Sequence, residues 1–389
     1  MFRTRPAAAG RRAGPRGSGR SLPPVAVLGA GHGGLPLAAY LALQGAPVRI
    51  WNRSPGPVAA VEVQGGIQLG LPDGTELLAE PERATCDIGA AVAGARVLLV
   101  ALPATAHAGV ASLLAPHLRP GQAVLLLPGR TGGALEFRRT LREHGAPPGV
   151  VVGEAQTFPF ASRVVAPGVA AIHGIKREVP VAALPAGDTP LLLAAVSPLL
   201  SMVTAAPSVL HTSLENVGAM LHPVITLLNA GRIENDARGF EFYGDGVTPG
   251  VAAVLAAVDA ERRAVAAAYG VQARALSEWI EAAYGHRAPD LHTAVARNPA
   301  YRGIRAPTVL SHRYLEEDVP TGLVPLAELG MAAEVPCPTM VALIRLASAL
   351  HGVEYFRTGR TLERLGLGGL TPDGIRRFVL EGEVEACPA

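Results

Sequence analysis

Val25-Ala26-Val27-Leu28-Gly29-Ala30-Gly31-His32-Gly33-Gly34 is the stretch on which the reading of this chain turns. Its first four residues are apolar and read as a short buried strand, and residues 35–44 read as a helix. Val48-Arg49-Ile50-Trp51 reads as a second strand. Strand, glycine turn, helix, strand is the setting in which a GxGxxG pattern signifies dinucleotide binding. In that reading Gly29 makes the tight turn, Gly31 lets the main chain approach a pyrophosphate, and Gly34 lets the helix lie close to the strand. His32 and Gly33 complete the turn. The helix N-terminus offers free N–H groups and the positive end of its dipole to phosphate oxygens.

The residues after the second strand select the cofactor. Enzymes that use NAD usually carry Asp or Glu there, on the ribose 2′-hydroxyl. Asn52, Arg53 and Ser54 stand in that place here. An amide, a guanidinium and a hydroxyl suit a 2′-phosphate better than a carboxylate does. NADP(H) is therefore expected in preference to NAD(H), with NAD(H) as the alternative. The competing reading is an ordinary polar turn.

Composition bounds the rest. A chain of 389 residues should hold two domains. Hydrophobic residues make up 49% and aromatic ones 4%, which is ample for a core and too few rings for stacking nucleic-acid bases. The net charge is +2, yet residues 1–20 hold six arginines and no acid, so the remainder carries −4 and is no nucleic-acid platform. That Arg-rich segment lacks the apolar run of a secretory signal. Residues 1–22 are expected to be a disordered tail, with a transit peptide as the alternative. Cys86, Cys337 and Cys387 fit neither a disulfide framework nor a zinc pattern, so no metal site is expected and a cytoplasmic location is. Segments 97–118 and 189–214 contain no Asp, Glu, Lys or Arg, but prolines interrupt both, and buried core is expected rather than membrane.

In chain order, 55–64 continues as a helix, 65–79 reads as a hairpin around Asp73-Gly74, and 87–93 as a short helix. Residues 96–101 form the next buried strand. Ligands of open α/β sheets lie beyond the carboxyl ends of the strands, so the loop that opens at Pro103 should face the cofactor. Strands at 123–127 and 150–154 follow. The first ends in a second glycine turn, Pro128-Gly129-Arg130-Thr131-Gly132-Gly133; the second runs into Glu154-Ala155-Gln156-Thr157, whose polar side chains should reach the cleft. Residues 168–184 read as antiparallel strands closing the sheet. This alternation predicts an N-terminal α/β domain, a Rossmann-type doubly wound parallel sheet, over 23–188. From about 191 the pattern turns helical, most clearly at 247–269, Leu276–Tyr284 and 341–351, so 189–389 is expected to be an all-α domain.

Two polar clusters stand out in the helical half. One contains Asn216 and, six residues on, His222-Pro223 on a largely apolar helix. A single histidine there is more often a core residue than a catalyst. The other is His312-Arg313-Tyr314-Leu315-Glu316-Glu317-Asp318-Val319-Pro320. It reads either as a solvated charge run or as a carboxylate, Asp318, held extended by Val-Pro and able to orient an imidazole and raise its pKa. Arg313 could grip a carboxylate bidentately.

These motifs, with Gly153-Glu154-Ala155-Gln156-Thr157 and the glycine turn at 29–34, resemble the opine dehydrogenases of the octopine/nopaline dehydrogenase type, over roughly residues 23–365. The resemblance implies a nicotinamide-binding Rossmann domain completed by a helical domain. It implies condensation of an amino acid, or a related amine, with a 2-oxo acid, and reduction of the resulting imine. It places a His–Asp dyad on His222 and Asp318 and a carboxylate-binding arginine on Arg313, with Asn216 and Thr157 beside the substrates. The expected partners are those two small molecules, with no nucleic acid and no membrane, and a homodimer is a further expectation. The Arg-rich tail has no counterpart in the family's motifs, and the identity of both substrates stays open. Two other classes also stay open at this point: a two-domain 2-oxo or 2-hydroxy acid reductase that needs no amine, and a cofactor-binding regulator without turnover.

Overall fold

A computed structural model describes residues 21–382, so all of the expected Arg-rich tail except Ser21 and Leu22 lies outside the described residues. The first strand, β1 (Val25–Leu28), leads through the helix Gly34–Leu43 to β2 (Val48–Trp51), its parallel neighbour. β3 (Ile67–Gly70) and β4 (Glu76–Ala79) form the expected hairpin, and β5 (Arg83–Thr85) returns beside β2. β6 (Val97–Val100), β7 (Ala123–Leu126) and β8 (Val151–Ala155) extend the parallel sheet on the far side of β1. β9 (Phe160–Ala166) and β10 (Val169–Ile175) pair with each other, and β11 (Val179–Leu184) and β12 (Val203–Ala205) finish the series. The main sheet has eight strands in the order β12-β11-β8-β7-β6-β1-β2-β5, and a second sheet has four in the order β4-β3-β10-β9.

The central strands are apolar at every position because helices cover both faces of the sheet. Their residues alternate between two cores: Val25 and Val27 face one, Ala26 and Leu28 the other. The second of these cores does not stop at the sheet. It runs on without a break into the helical half, through Val224, Leu255 and Ile344. Each fully buried aliphatic side chain there contributes about 1.5–3 kcal/mol relative to leaving it exposed.

Two expectations need correction. Only part of 168–184 closes the main sheet: β11 runs antiparallel to β8, but β10 joins the hairpin strand β3 in the second sheet. The hairpin's open edge needed a partner, and β10 supplies one. Nor does the sheet end at 188. The helix Thr189–Val196 packs on β11 and the chain re-enters the sheet as β12, so the expected boundary falls inside the sheet domain. Beyond Ala205 the described residues hold helices and an isolated bridge between Glu241 and Arg305. The longest helix, Pro249–Ala268, starts as the sequence suggests: Thr248 caps it by accepting from the Val251 N–H, and Pro249 fills the first turn. No described helix is long and apolar enough to cross a membrane.

Candidate active site

The first glycine turn lies on the carboxyl edge of the sheet, and each glycine has its own reason. Gly29 sits at φ +113°, where a Cβ would come within 2.6 Å of the Ala101 carbonyl oxygen. A Cβ on Gly34 would meet the Gly29 carbonyl at 1.9 Å, so the helix could not close on the strand. At Gly31 a Cβ would meet nothing within 4 Å, and at Gly33 it would strike the Phe158 ring at 2.8 Å. The N–H groups of Gly31, His32 and Gly33 have no backbone partner among the described residues. Unpaired donors at a helix start, beside open space, fit the phosphates of a dinucleotide.

The neighbouring residues expected at the cofactor divide. The His32 ring is turned away to β9, where Nδ1 accepts from the Val164 N–H at 3.0 Å and the His32 carbonyl accepts from Ser162 Oγ at 2.8 Å. Burial, then Arg163 and Arg313, lower its pKa and keep it an acceptor. Asn52 braces the turn itself: Oδ1 accepts from the Ala30 N–H at 3.1 Å and Nδ2 donates to the Ser54 carbonyl at 2.9 Å. That leaves Arg53 and Ser54 as the exposed groups after β2. Pro103 is exposed and opens a short turn in which the Ala104 N–H donates to Glu317 Oε1 at 3.2 Å.

Between the two halves lies a cavity of about 160 Å³. Pro128, Arg130, Gln156, Thr157 and Lys176 line the sheet side; Asn216, Leu221, His222, Tyr243, Trp279, Tyr284 and Tyr301 line the helical side. Glu154 does not reach it. It is fully buried, accepting from Thr212, Ser213 and the Ala134 N–H, with its pKa raised by burial.

His222 lies on the helix Gly218–Leu228, and Asp318 immediately precedes a π-helical turn, Val319–Leu323. Gly322 lets that turn press on the helix, since a Cβ there would meet the Ala219 Cβ at 2.5 Å. The result is a contact of 2.6 Å between His222 Nδ1 and Asp318 Oδ2 across 96 residues of sequence. Asp318 is 0% exposed and helical in conformation (φ −74°, ψ −25°), not extended as the Val-Pro sequence suggested, because Pro320 fits the first turn of the π segment. Tyr314 stacks on the His222 ring at 4.2 Å, and Tyr243 Oη lies 3.2 Å from Nε2. Burial raises the Tyr243 pKa well above its ordinary value, so it stays a phenol.

Arg313 is not where the sequence pattern suggested. It is 54% exposed and spends Nε and Nη2 on Glu317 Oε2, at 3.0 and 2.7 Å, without lining the cavity. Arg130 lines it instead. It sits at φ +62°, a conformation that non-glycine residues rarely hold unless their surroundings impose it. Its Nε lies 3.3 Å from Glu317 Oε1 and its Nη1 3.4 Å from Asp318 Oδ1. Burial alone would raise the Glu317 pKa, but Arg130 and Arg313 outweigh it and hold the carboxyl well below its usual range. Thr157 Oγ1 accepts from Lys176 Nζ, and Asn216 Nδ2 donates to Thr131 Oγ1 at 3.2 Å. Arg130, Lys176 and the aromatic wall were missed in the sequence. Arg130's place in the second glycine turn was a usable signal.

Residues 205–351 match the family model described as NAD/NADP octopine/nopaline dehydrogenase, alpha-helical domain. Residues 24–129 match that for the N-terminus of NAD-dependent glycerol-3-phosphate dehydrogenase. An opine dehydrogenase from Arthrobacter sp. (strain 1C) is 44% identical over 354 residues, covering 91% of this chain and 98% of that protein. The ocs protein of Agrobacterium vitis is 29% identical over 365 residues, with the same coverage. Octopine dehydrogenase solved with NADH and L-arginine superposes with a TM-score of 0.76 at 23% identity, over 94% of this chain and 99% of that one. Yersinopine dehydrogenase with NADP+ gives 0.67 at 18%, over 93% and 98%. The chain thus belongs to the octopine/nopaline dehydrogenase family of opine dehydrogenases, NAD(P)-dependent oxidoreductases that condense an amino acid with a 2-oxo acid and reduce the imine.

Proposed function

We propose that the amine partner of this enzyme carries an apolar or aromatic side chain, that His222 and Asp318 handle the protons, and that NADPH is the preferred reductant. The observation that carries the reading is the 2.6 Å His222–Asp318 contact at the edge of a cavity whose opposite wall holds Arg130 and Thr157. Asp318 engages Nδ1 and so leaves Nε2, beside Tyr243, for the substrates. As the amine attacks the 2-oxo acid carbonyl, His222 accepts a proton; as the hemiaminal loses water, it returns one to the departing hydroxyl. The buried carboxylate steadies the imidazolium between these events. A bound nicotinamide would supply the hydride for reduction of the imine.

Carboxylate binding falls to Arg130 in this reading, because its Nη2 makes none of the contacts to Glu317 and Asp318. Arg313 would have to leave Glu317 to take that part. Thr157 and Asn216 offer polar groups beside it. The amine's side chain is assigned to Trp279, Tyr284 and Tyr301. Glu215, the acid in the same cavity, is already held by Arg274 at 2.7 Å and Gln156 at 2.8 Å, so among the described lining residues no free carboxylate awaits a cationic side chain. The preference for NADPH is supported by the exposed Arg53 and by the lack of an acid after β2.

A panel of amino acids with a small 2-oxo acid and NADPH, read by cofactor oxidation and product mass, tests this. Apolar and aromatic amino acids should give turnover, with product mass equal to both substrates minus water plus two hydrogens. Faster turnover with arginine or lysine would overturn the amine assignment, and amine-independent formation of the hydroxy acid would overturn the two-substrate reading.

A further inference from the structure

Of the 34 basic residues in this chain, 33 are arginine and one is lysine, Lys176. It follows β10 directly, and its N–H donates to the Pro159 carbonyl at 2.9 Å, which fixes where the side chain starts. From there it lines the same cavity as His222 and Arg130. Its ammonium donates to Thr157 Oγ1 and forms no ion pair with any described carboxylate. Arg130 differs: it lies against both Glu317 and Asp318. A partly buried cation with no counter-ion is costly unless a ligand completes it. The reaction brings two carboxylates into one cleft, one on each substrate, and a cavity of about 160 Å³ that already holds one guanidinium favours a compact point charge for the second.

We propose that Lys176 is the second carboxylate anchor of the site, binding the carboxylate of one of the two substrates while Arg130 receives the other. This rests on the two-substrate reading above. Removing Lys176 should weaken that substrate alone, leaving the cofactor and the other substrate nearly untouched. The other charged or titratable groups facing this space are Arg130, Glu215, His222 and the phenols of Tyr243, Tyr284 and Tyr301. Burial first, and the Arg130 charge second, bring the Lys176 pKa down to about 8. Burial raises all three phenols and Arg274 lowers Glu215 against the pull of burial, which moves them away from that range. Carboxylate binding should therefore weaken as pH rises through 8, as the ammonium loses its proton.

The test measures dissociation constants of the 2-oxo acid and of the amino acid, separately, on the full-length enzyme–NADPH complex, for wild type, Lys176→Met and Lys176→Arg. In Lys176→Met one of the two should weaken about 10- to 100-fold, the loss expected for one charge-assisted hydrogen bond. Which one weakens identifies the arm that Lys176 holds. Lys176→Arg should regain part of the affinity and lose the pH dependence near 8, which a merely structural lysine would not show. Repeating the pH series in a His222→Gln background removes the imidazole's own titration. Both constants staying within roughly threefold of wild type in Lys176→Met would overturn the proposal. Because binding is read without turnover, a failure of the condensation reading appears separately, as absence of amine-dependent NADPH oxidation in wild type.

Discussion

Arg130 and Asp318 meet at 3.4 Å through Nη1 and Oδ1, the one carboxylate oxygen that His222 does not use. Oδ1 has no hydrogen-bond partner, so this ion pair is its compensation. Asp318 is thereby shared between an imidazole and a guanidinium. Arg130→Gln is expected to disturb substrate binding and proton handling together, raising the KM of one substrate and lowering kcat. Arg313→Gln should change KM and kcat little, since Arg313 does not line the cavity and Glu317 keeps its Arg130 partner. Steady-state kinetics of the pair check this; a larger kcat loss in Arg313→Gln would reverse the assignment.

His222→Ala should reduce kcat by about 10²–10⁴-fold, the usual worth of a general acid/base, while NADPH still binds. The imidazole comes from the helical half, away from the glycine turn, so cofactor affinity by fluorescence titration should be near wild type. Asp318→Asn should also lower kcat strongly, because an amide cannot support imidazolium. A rate close to wild type in either variant would return both residues to a structural role.

The bracing of the glycine turn by Asn52 separates two effects in cofactor choice. Arg53→Ala should raise the KM for NADPH and leave that for NADH nearly unchanged. Asn52→Ala removes the acceptor for the Ala30 N–H and should weaken both cofactors alike. Better catalysis by wild type with NADH than with NADPH would show that this turn does not select for a 2′-phosphate.

His107 gives a pH signature of stability. It is fully buried against Arg360, and burial first, then the Arg360 charge, lower its pKa to about 3. The unfolded chain takes up this proton near the ordinary value of 6.5, whereas the fold refuses it until about 3. Stability therefore falls as pH drops below 6.5, and this one group should cost about 2 kcal/mol at pH 5. His107→Gln keeps an acceptor for Arg360 and removes the titration, so urea midpoints between pH 7 and 5 should slope less steeply than in wild type.

The first thirty residues of the sheet domain were legible because strand, turn and helix are local patterns, and the glycines at 29 and 34 each meet the steric need assigned to them. The pairing of β10 with β3 was not, because residues 169–175 are compatible with either sheet, and the choice depends on a hairpin edge a hundred residues earlier. His222 and Asp318 were named from motifs, but their contact depends on a π turn and a glycine that no propensity announces. Arg313 stands apart from the cavity for a related reason: Glu317, one helical turn on, pairs with it. Lys176 was visible as the single lysine in the composition. Its place at the cavity could not be read without knowing where the second sheet lies.

Arg360 carries a consequence for how the molecule is made. Its guanidinium, 1% exposed, donates to Glu136 and to the carbonyls of Gly129, Thr131 and Ala104, and meets His107. The three carbonyls belong to the connections that follow β6 and β7 at the carboxyl edge of the sheet, and Glu136 and His107 to the helices those connections lead into. All eight strands of the main sheet have been synthesised by residue 205, yet the inner faces of these loops are still without their partner. The proposed cofactor and substrate edge is therefore expected to stay without this partner until residue 360 has been made. A chain that stops after the last strand is thus expected to hold the entire sheet while its carboxyl edge still lacks the guanidinium that ties its connections together.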